Sequence, residues 1–186
     1  MKQIQVSASF IILWITVLFL DTEQLCSYFL LSAVVHEFGH LAAIRLCGAQ
    51  VLQFRLSALG GVIRYYLPIK TRLRELCIFL SGCLFGAIFA VFAYICKVPL
   101  LCGASTILTA FNLLPLSFLD GGRAWNILIG EHTILLFLEY GTIILMLCIG
   151  VGAVLQWRAY GLFCMACILA FLQQSHLHRR KNKGMI

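Results

Sequence analysis

The chain has 186 residues, of which 62% are hydrophobic and 11% are charged. Soluble domains are roughly half apolar and a quarter charged, so this composition excludes a soluble globular domain and predicts a helical membrane protein. The net charge of +7 would raise nucleic acid as a partner of a soluble protein. Because no nucleic-acid motif accompanies the charge, we expect no nucleic-acid partner. We attribute the positive charge to membrane topology and to contact with anionic lipid.

A helix needs roughly 20 apolar residues to cross a bilayer. Six segments approach that length and are predicted to span the membrane: 4–20, 25–46, 75–96, 98–118, 133–155 and 158–174. The predicted fold is therefore an all-α polytopic membrane protein with about six transmembrane helices. We predict one transmembrane domain over 1–186, which ends in a basic tail at 175–186.

The second span contains His36-Glu37-Phe38-Gly39-His40. Residues four apart lie on the same helix face, so His36 and His40 can hold one Zn²⁺ and leave Glu37 beside it. Zinc then activates a water molecule for attack on a peptide carbonyl, and the glutamate accepts its proton as general base. Ionisable groups buried in a membrane are expensive and mark functional sites by default.

A short β-hairpin is predicted at 49–66, between the second and third spans, at the membrane interface. Val51 to Leu56 alternates in part, Gly60-Gly61 supplies a turn, and Val62 to Tyr66 is β-branched and aromatic, which are hairpin signals.

The third span carries small residues every four positions, at Gly82, Gly86 and Ala90. A face of this kind lets helix backbones approach closely, so we predict that it packs against another helix.

A catalytic zinc site normally has three protein ligands, so the histidine pair needs a third. Asp120 lies near the end of the fourth span at a depth similar to that of His40, and Glu139 in the fifth span is the reserve candidate. Pro115 breaks the helix before Asp120, and irregular backbone at membrane depth must line a cavity or be packed in protein. Asn112 either contacts substrate backbone or ties two helices together, and both interpretations stay open.

The basic residues favour cytoplasmic termini at both ends of the chain. If the N-terminus is cytoplasmic, every Lys and Arg except Lys97 and Arg158 lies on the cytoplasmic side of a six-span chain. The positive-inside rule therefore predicts a multi-pass protein of the bacterial cell membrane with this orientation.

Two motifs in this order resemble the site-2 protease (M50) family of intramembrane zinc metalloproteases. They are H-E-F-G-H at 36–40 and N-L-L-P-L-S-F-L-D-G-G at 112–122, with S-G-C-L-F-G at 81–86 as a weaker match. More narrowly, the sequence is similar to a small bacterial branch that includes the stage IV sporulation protease. Members of that family usually have Pro and Asn where this chain has Cys83 and Gly86.

The resemblance implies Zn²⁺ as cofactor, with His36, His40 and Asp120 as ligands and Glu37 as base. It also implies that the 49–66 hairpin guides extended substrate. We therefore expect an intramembrane zinc metalloendopeptidase that cleaves a membrane-associated protein near the cytoplasmic face, with a sporulation sigma-factor precursor as one candidate substrate. The alternatives are a metal-binding membrane transporter and a non-catalytic membrane interaction protein. The expected partners are that substrate and the lipid bilayer, while inhibitory membrane partners or a homo-oligomer stay open.

Overall fold

A computed structural model describes residues 3–21, 24–57, 60–130, 132–157, 164 and 166–175. The chain divides into two compact units, Met1–Asn112 and Leu113–Ile186. Residues 158–163 and 165 of the sixth predicted span, and nearly all of the predicted basic tail, lie outside the described residues.

The described part of the first unit contains three strands and four helices. In chain order they are β1 (Gln3–Val6), α1 (Ala8–Leu20), α2 (Leu25–Leu46), β2 (Gln50–Ser57), β3 (Gly60–Tyr66), α3 (Arg72–Ile95) and α4 (Pro99–Asn112). The second unit contains α5 (Asp120–Ile129) and α6 (His132–Trp157), and then a short apolar helix, α7 (Ala166–Ser175).

Three of the described helices are long and apolar enough to cross a membrane: Leu25–Leu46, Arg72–Ile95 and Thr133–Gln156. A helix of 22 residues such as α2 is about 33 Å long, which matches the hydrocarbon thickness of a bilayer. By length and composition, the described helices therefore support fewer spans than the six predicted. Among the described residues, the first and fourth predicted spans differ most from the observed helices.

The first predicted span, 4–20, is wrong at its start. Residues Gln3–Val6 form a strand, and the helix that follows has 13 residues, about 20 Å, which is short of a bilayer. The strand forms because β1 pairs in parallel with β2, from Gln3 opposite Gln53 to Val6 opposite Leu56. This pairing is remote in sequence, so apolar content alone could not predict it.

The fourth predicted span, 98–118, ends six residues early, since α4 stops at Asn112. Pro115 disfavours helical backbone in the residue before it, and the chain turns instead, with the Leu116 amide donating to the Leu114 carbonyl at 2.8 Å. The next helix, α5, begins at Asp120. Asp120 therefore starts a short helix and does not end a long one.

The hairpin predicted between the second and third helices is confirmed. β2 and β3 pair antiparallel from Gln50 opposite Tyr66 to Ser57 opposite Gly60. With β1 they form a three-stranded sheet in the order β1-β2-β3, which is larger than predicted. A buried apolar cluster of Ala43, Ile44, Ala49, Leu67 and Ile78 lies at the junction of α2, the hairpin and α3.

The small residues of α3 are buried as predicted, at Gly82, Gly86 and Ala90. At Gly86, an added Cβ would collide with the Thr109 hydroxyl of α4, and Ser105 of the same helix donates to the Gly86 carbonyl at 2.8 Å. Position 86 therefore serves close packing of α3 and α4, in a place where a larger polar side chain would not fit.

Candidate metal centre

His36 and His40 lie on the buried stripe of α2, together with Ser32, Gly39, Ala43 and Ile44. Their side chains are 5% and 7% exposed. The two Nε2 atoms face each other at 3.2 Å. Zinc binds imidazole nitrogen at about 2.0–2.1 Å with tetrahedral geometry, which requires two nitrogen ligands to stand about 3.3 Å apart. The pair therefore fits a single Zn²⁺ in spacing and in ligand chemistry.

The orientation of His40 is set by the backbone of α3. Its Nδ1 lies 2.7 Å from the Ile78 carbonyl oxygen, which only accepts, so Nδ1 donates and the Nε2 lone pair is available to a metal. Ser81 donates to the same carbonyl at 2.8 Å. Hydrogen bonds of this kind fix the tautomer and ring orientation of metal-binding histidines.

Gly82 leaves the space that the two imidazoles occupy. A Cβ added at this position would overlap His40 Nε2 and would lie 2.7 Å from His36 Nε2. The sequence indicated only a helix-packing role for this glycine. Gly82 lies one helical turn after Ile78, whose carbonyl accepts the hydrogen bond from His40. This placement explains why Gly82 faces the histidine pair.

Glu37 is half-buried on α2 and lies against the sheet. A Cβ added at Gly61 of β3 would be 2.7 Å from the Glu37 carboxyl carbon and from one of its oxygens. The start of β3 therefore borders the carboxylate, and Gly61 gives it room. Because Glu37 follows His36 directly, one turn of α2 carries both the ligand pair and a carboxylate of the kind that acts as general base.

Asp120 lies in the second unit as the first residue of α5. Its side chain is 15% exposed, and one oxygen is 3.8 Å from Arg123 Nη1. Gly121 and Gly122 allow the start of α5 to pack closely against the preceding segment. An added Cβ would collide with the Leu113 carbonyl at Gly121 and with the Leu116 carbonyl at Gly122. A carboxylate at a helix N-terminus is also favoured by the helix dipole.

The other two candidates have partners of their own. The Asn112 amide, at the end of α4, donates to the Leu108 carbonyl of its own helix at 3.0 Å. Glu139 of α6 is fully buried, and both of its oxygens accept hydrogen bonds, one from Ser117 and one from Gln173. The sequence did not single out Ser117 or Gln173, because their meeting with Glu139 depends on three separate segments.

The comparisons with known proteins agree with this architecture. The model of Peptidase family M50 matches residues 24–102, which include the histidine pair and end before Asp120. A solved structure, the site-2 protease from Methanocaldococcus jannaschii, is similar with a TM-score of 0.64 at 21% identity, covering 92% of this chain and 89% of that chain. A search of curated proteins gave no match.

These findings define the class of the protein: a membrane-embedded metalloprotease. Residues 24–102 match peptidase family M50, and the fold of the chain is similar to that of a site-2 protease. The predicted family is thereby confirmed.

Proposed function

We propose that this protein is an intramembrane zinc endopeptidase that hydrolyses a peptide bond of a membrane-associated protein near the cytoplasmic face. The observation that carries the proposal is the buried Nε2 pair at 3.2 Å. It lies on a helix long and apolar enough to cross a bilayer, with Glu37 as the intervening neighbour.

His36, His40 and Asp120 are the proposed zinc ligands. The first two are supported by their spacing, by the hydrogen bond that orients His40 and by the space at Gly82. Asp120 is supported by its place in the L-D-G-G motif. The alternative ligand, Glu139, is less suitable because both of its oxygens already accept hydrogen bonds within the second unit. Two imidazoles and one carboxylate form a ligand set that catalytic zinc uses in other proteases.

The proposed chemistry is hydrolysis with Glu37 as general base. A bound Zn²⁺ supplies Lewis acidity, which polarises the scissile carbonyl and lowers the pKa of water. The Glu37 carboxylate accepts a proton from the attacking water as the new C–O bond forms. It then donates that proton to the amine as the C–N bond breaks.

The open edge of β3 is the proposed docking site for an extended substrate segment. β2 is the central strand and β1 covers its other side, so β3 has β2 as its one strand neighbour within the described chain. Gly61, near the start of β3, borders Glu37. A helical substrate hides its peptide bonds, and strand addition would present an unwound segment while pairing its backbone.

Photocrosslinking tests this docking site. A photoreactive side chain at Val62 of β3 is expected to trap a membrane-tethered substrate in a Glu37→Gln background, in which cleavage is lost. Phe92 of α3 is the matched control position, since the two native side chains are 52% and 58% exposed. Equal substrate adducts at both positions would contradict docking on β3.

The proposed substrate is a membrane-associated precursor of a transcription factor, and a sporulation sigma-factor precursor is the candidate that the sequence resemblance favours. Asn112 remains a candidate substrate contact through its carboxamide oxygen, because its nitrogen donates to Leu108. We propose a multi-pass orientation with both termini in the cytoplasm, supported by the distribution of Lys and Arg. A reporter fused to the C-terminus should then be active on the cytoplasmic side, and activity on the outer side would contradict this orientation.

Metal removal in a defined membrane tests the function itself. The full chain is reconstituted in liposomes with a model substrate made of one apolar helix and a cytoplasmic reporter domain. Cleavage is followed by gel, and the cut position by mass spectrometry. We expect a chelator to abolish cleavage and equimolar Zn²⁺ to restore it. Cleavage that survives complete zinc removal would contradict the proposal, and Zn²⁺ uptake into the liposomes without cleavage would favour a transporter.

A further inference from the structure

Three buried polar side chains meet inside the second unit. Ser117 lies in the segment before α5, Glu139 lies on α6 and Gln173 lies on α7, with exposures of 3%, 0% and 0%. The Gln173 amide nitrogen donates to Ser117 Oγ at 3.1 Å and to a Glu139 oxygen at 2.7 Å. The Ser117 hydroxyl donates to the other Glu139 oxygen. These three residues are the Ser117 cluster.

The hydrogen bonds of the Ser117 cluster form a ring in which every side-chain donor is used, while the Gln173 carboxamide oxygen is buried without a hydrogen-bond partner among the described residues. The two N–H groups of the Gln173 amide and the one O–H of Ser117 are all used, and Glu139 acts only as an acceptor, as a carboxylate does. Removing one member leaves its buried partners unpaired, which costs more than the intact ring contributes. Because the ring depends on all three residues, it can hold Ser117 in one position relative to α6 and α7.

The segment that Ser117 belongs to is packed directly against the start of α5. A Cβ at Gly122 would collide with the Leu116 carbonyl and would lie 2.8 Å from the Ser117 amide nitrogen. The Leu119 amide also donates to the Leu116 carbonyl at 2.8 Å, and Leu116 is fully buried. The first turn of α5, which begins with Asp120, therefore rests on the chain that Ser117 anchors.

We propose that the Ser117 cluster is a positioning device for Asp120. Glu139 and Gln173 hold Ser117 from two helices, Ser117 holds residues 113–119, and that segment holds the first turn of α5. The three side chains are positioning residues and not metal ligands. This inference rests on the proposed function, because Asp120 must be a zinc ligand for its position to matter.

A side-chain exchange tests the positioning role. Zinc affinity of the full chain in detergent is measured by competition with chelators of graded strength, and the Co²⁺-substituted chain gives an absorption spectrum that reports ligand geometry. We expect Glu139→Gln to weaken zinc binding about tenfold, the lower end of what outer partners of metal ligands contribute. The double variant Glu139→Gln with Gln173→Glu has one carboxylate and one amide again, exchanged between α6 and α7. It should bind zinc more tightly than Glu139→Gln alone and move the Co²⁺ spectrum towards that of the native chain, although the carboxylate at 173 has one buried oxygen without a donor.

Each outcome of this experiment supports or overturns the inference. Tighter zinc binding in the exchange variant than in Glu139→Gln supports positioning, because a carboxylate and an amide again face each other although the carboxylate has moved to another helix. If Glu139 were a ligand, the exchange would not restore affinity or spectrum. An exchange variant that fails to fold also contradicts the inference, as does a Glu139→Gln variant that melts at a lower temperature without zinc but binds zinc normally.

Asp120→Asn separates this inference from the proposed function. It should weaken zinc binding more than any variant of the Ser117 cluster, by more than about 100-fold, beyond the range for outer partners of metal ligands. Normal zinc binding in Asp120→Asn would overturn the proposed ligand set. Weak binding in Asp120→Asn with normal binding in Glu139→Gln would leave the ligand set standing and overturn only the positioning role.

Discussion

Replacing Glu37 by Gln is expected to lower the cleavage rate by about 10²–10⁴-fold, the range that a general acid–base residue contributes. The amide has nearly the same size as the carboxylate, so its packing against Gly61 and the helical course of α2 should persist. What it loses is the ability to accept a proton from water and return it to the leaving amine. Zinc should therefore stay bound at full stoichiometry while cleavage fails.

The measurement is the cleavage rate of the tethered substrate together with zinc content per chain. Glu75→Gln is the matched control, because Glu75 is also half-buried and lies in the first turn of α3, where it has no proposed role in the metal centre. That variant should cleave at the native rate. A Glu37→Gln variant that cleaves normally would remove Glu37 from the mechanism, and one that loses zinc would make Glu37 a ligand.

Replacing Gly82 by Ala is expected to weaken zinc binding by more than about 100-fold, as the loss of a direct ligand would and beyond what outer partners contribute. The added methyl group would overlap His40 Nε2 and crowd His36 Nε2, so the atoms that must move are the ligands themselves. Alanine is the better helix former by about 1 kcal/mol, so α3 should form at least as well as before. The variant should keep its helical circular dichroism and lose its metal.

Two glycine variants serve as controls for Gly82→Ala. At Gly103 of α4 an added Cβ meets nothing within 4 Å, so Gly103→Ala should bind zinc normally. At Gly86 the added group collides with the Thr109 hydroxyl of α4, which disturbs helix packing one turn away from Gly82. If Gly86→Ala weakened zinc binding as much as Gly82→Ala, general loss of packing would explain both results, and the specific role of Gly82 would be wrong.

The local features of the fold could be predicted from the sequence. The spacing of His36 and His40 places both on one helix face, since helical period is a property of the backbone alone. The hairpin around Gly60-Gly61 and the interruption at Pro115 also follow from residues adjacent in the chain. These predictions depend on interactions across only a few residues, and the structure agrees with them.

The start of the first predicted span was misplaced because it depends on a contact that is distant in sequence. β1 is a strand because it pairs with β2 about 50 residues later, where Ile4 lies opposite Phe54. An apolar run carries no information on such a partner, so the start of the predicted span 4–20 was wrong. The fourth predicted span was extended to 118 because the apolar run continues through Leu119, although Pro115 interrupts the helix and α4 ends at Asn112.

The sequence by itself determined the class of protein, the membrane setting and the chemical groups of the site, because composition, helical period and motif order are encoded locally. Only the tertiary structure decided which neighbours orient these groups and leave space for them. It brought the Ile78 carbonyl to His40, the empty space of Gly82 to both imidazoles, and Ser117 and Gln173 to Glu139. Such contacts join side chains on different helices, and the packing that selects them is a property of the whole unit.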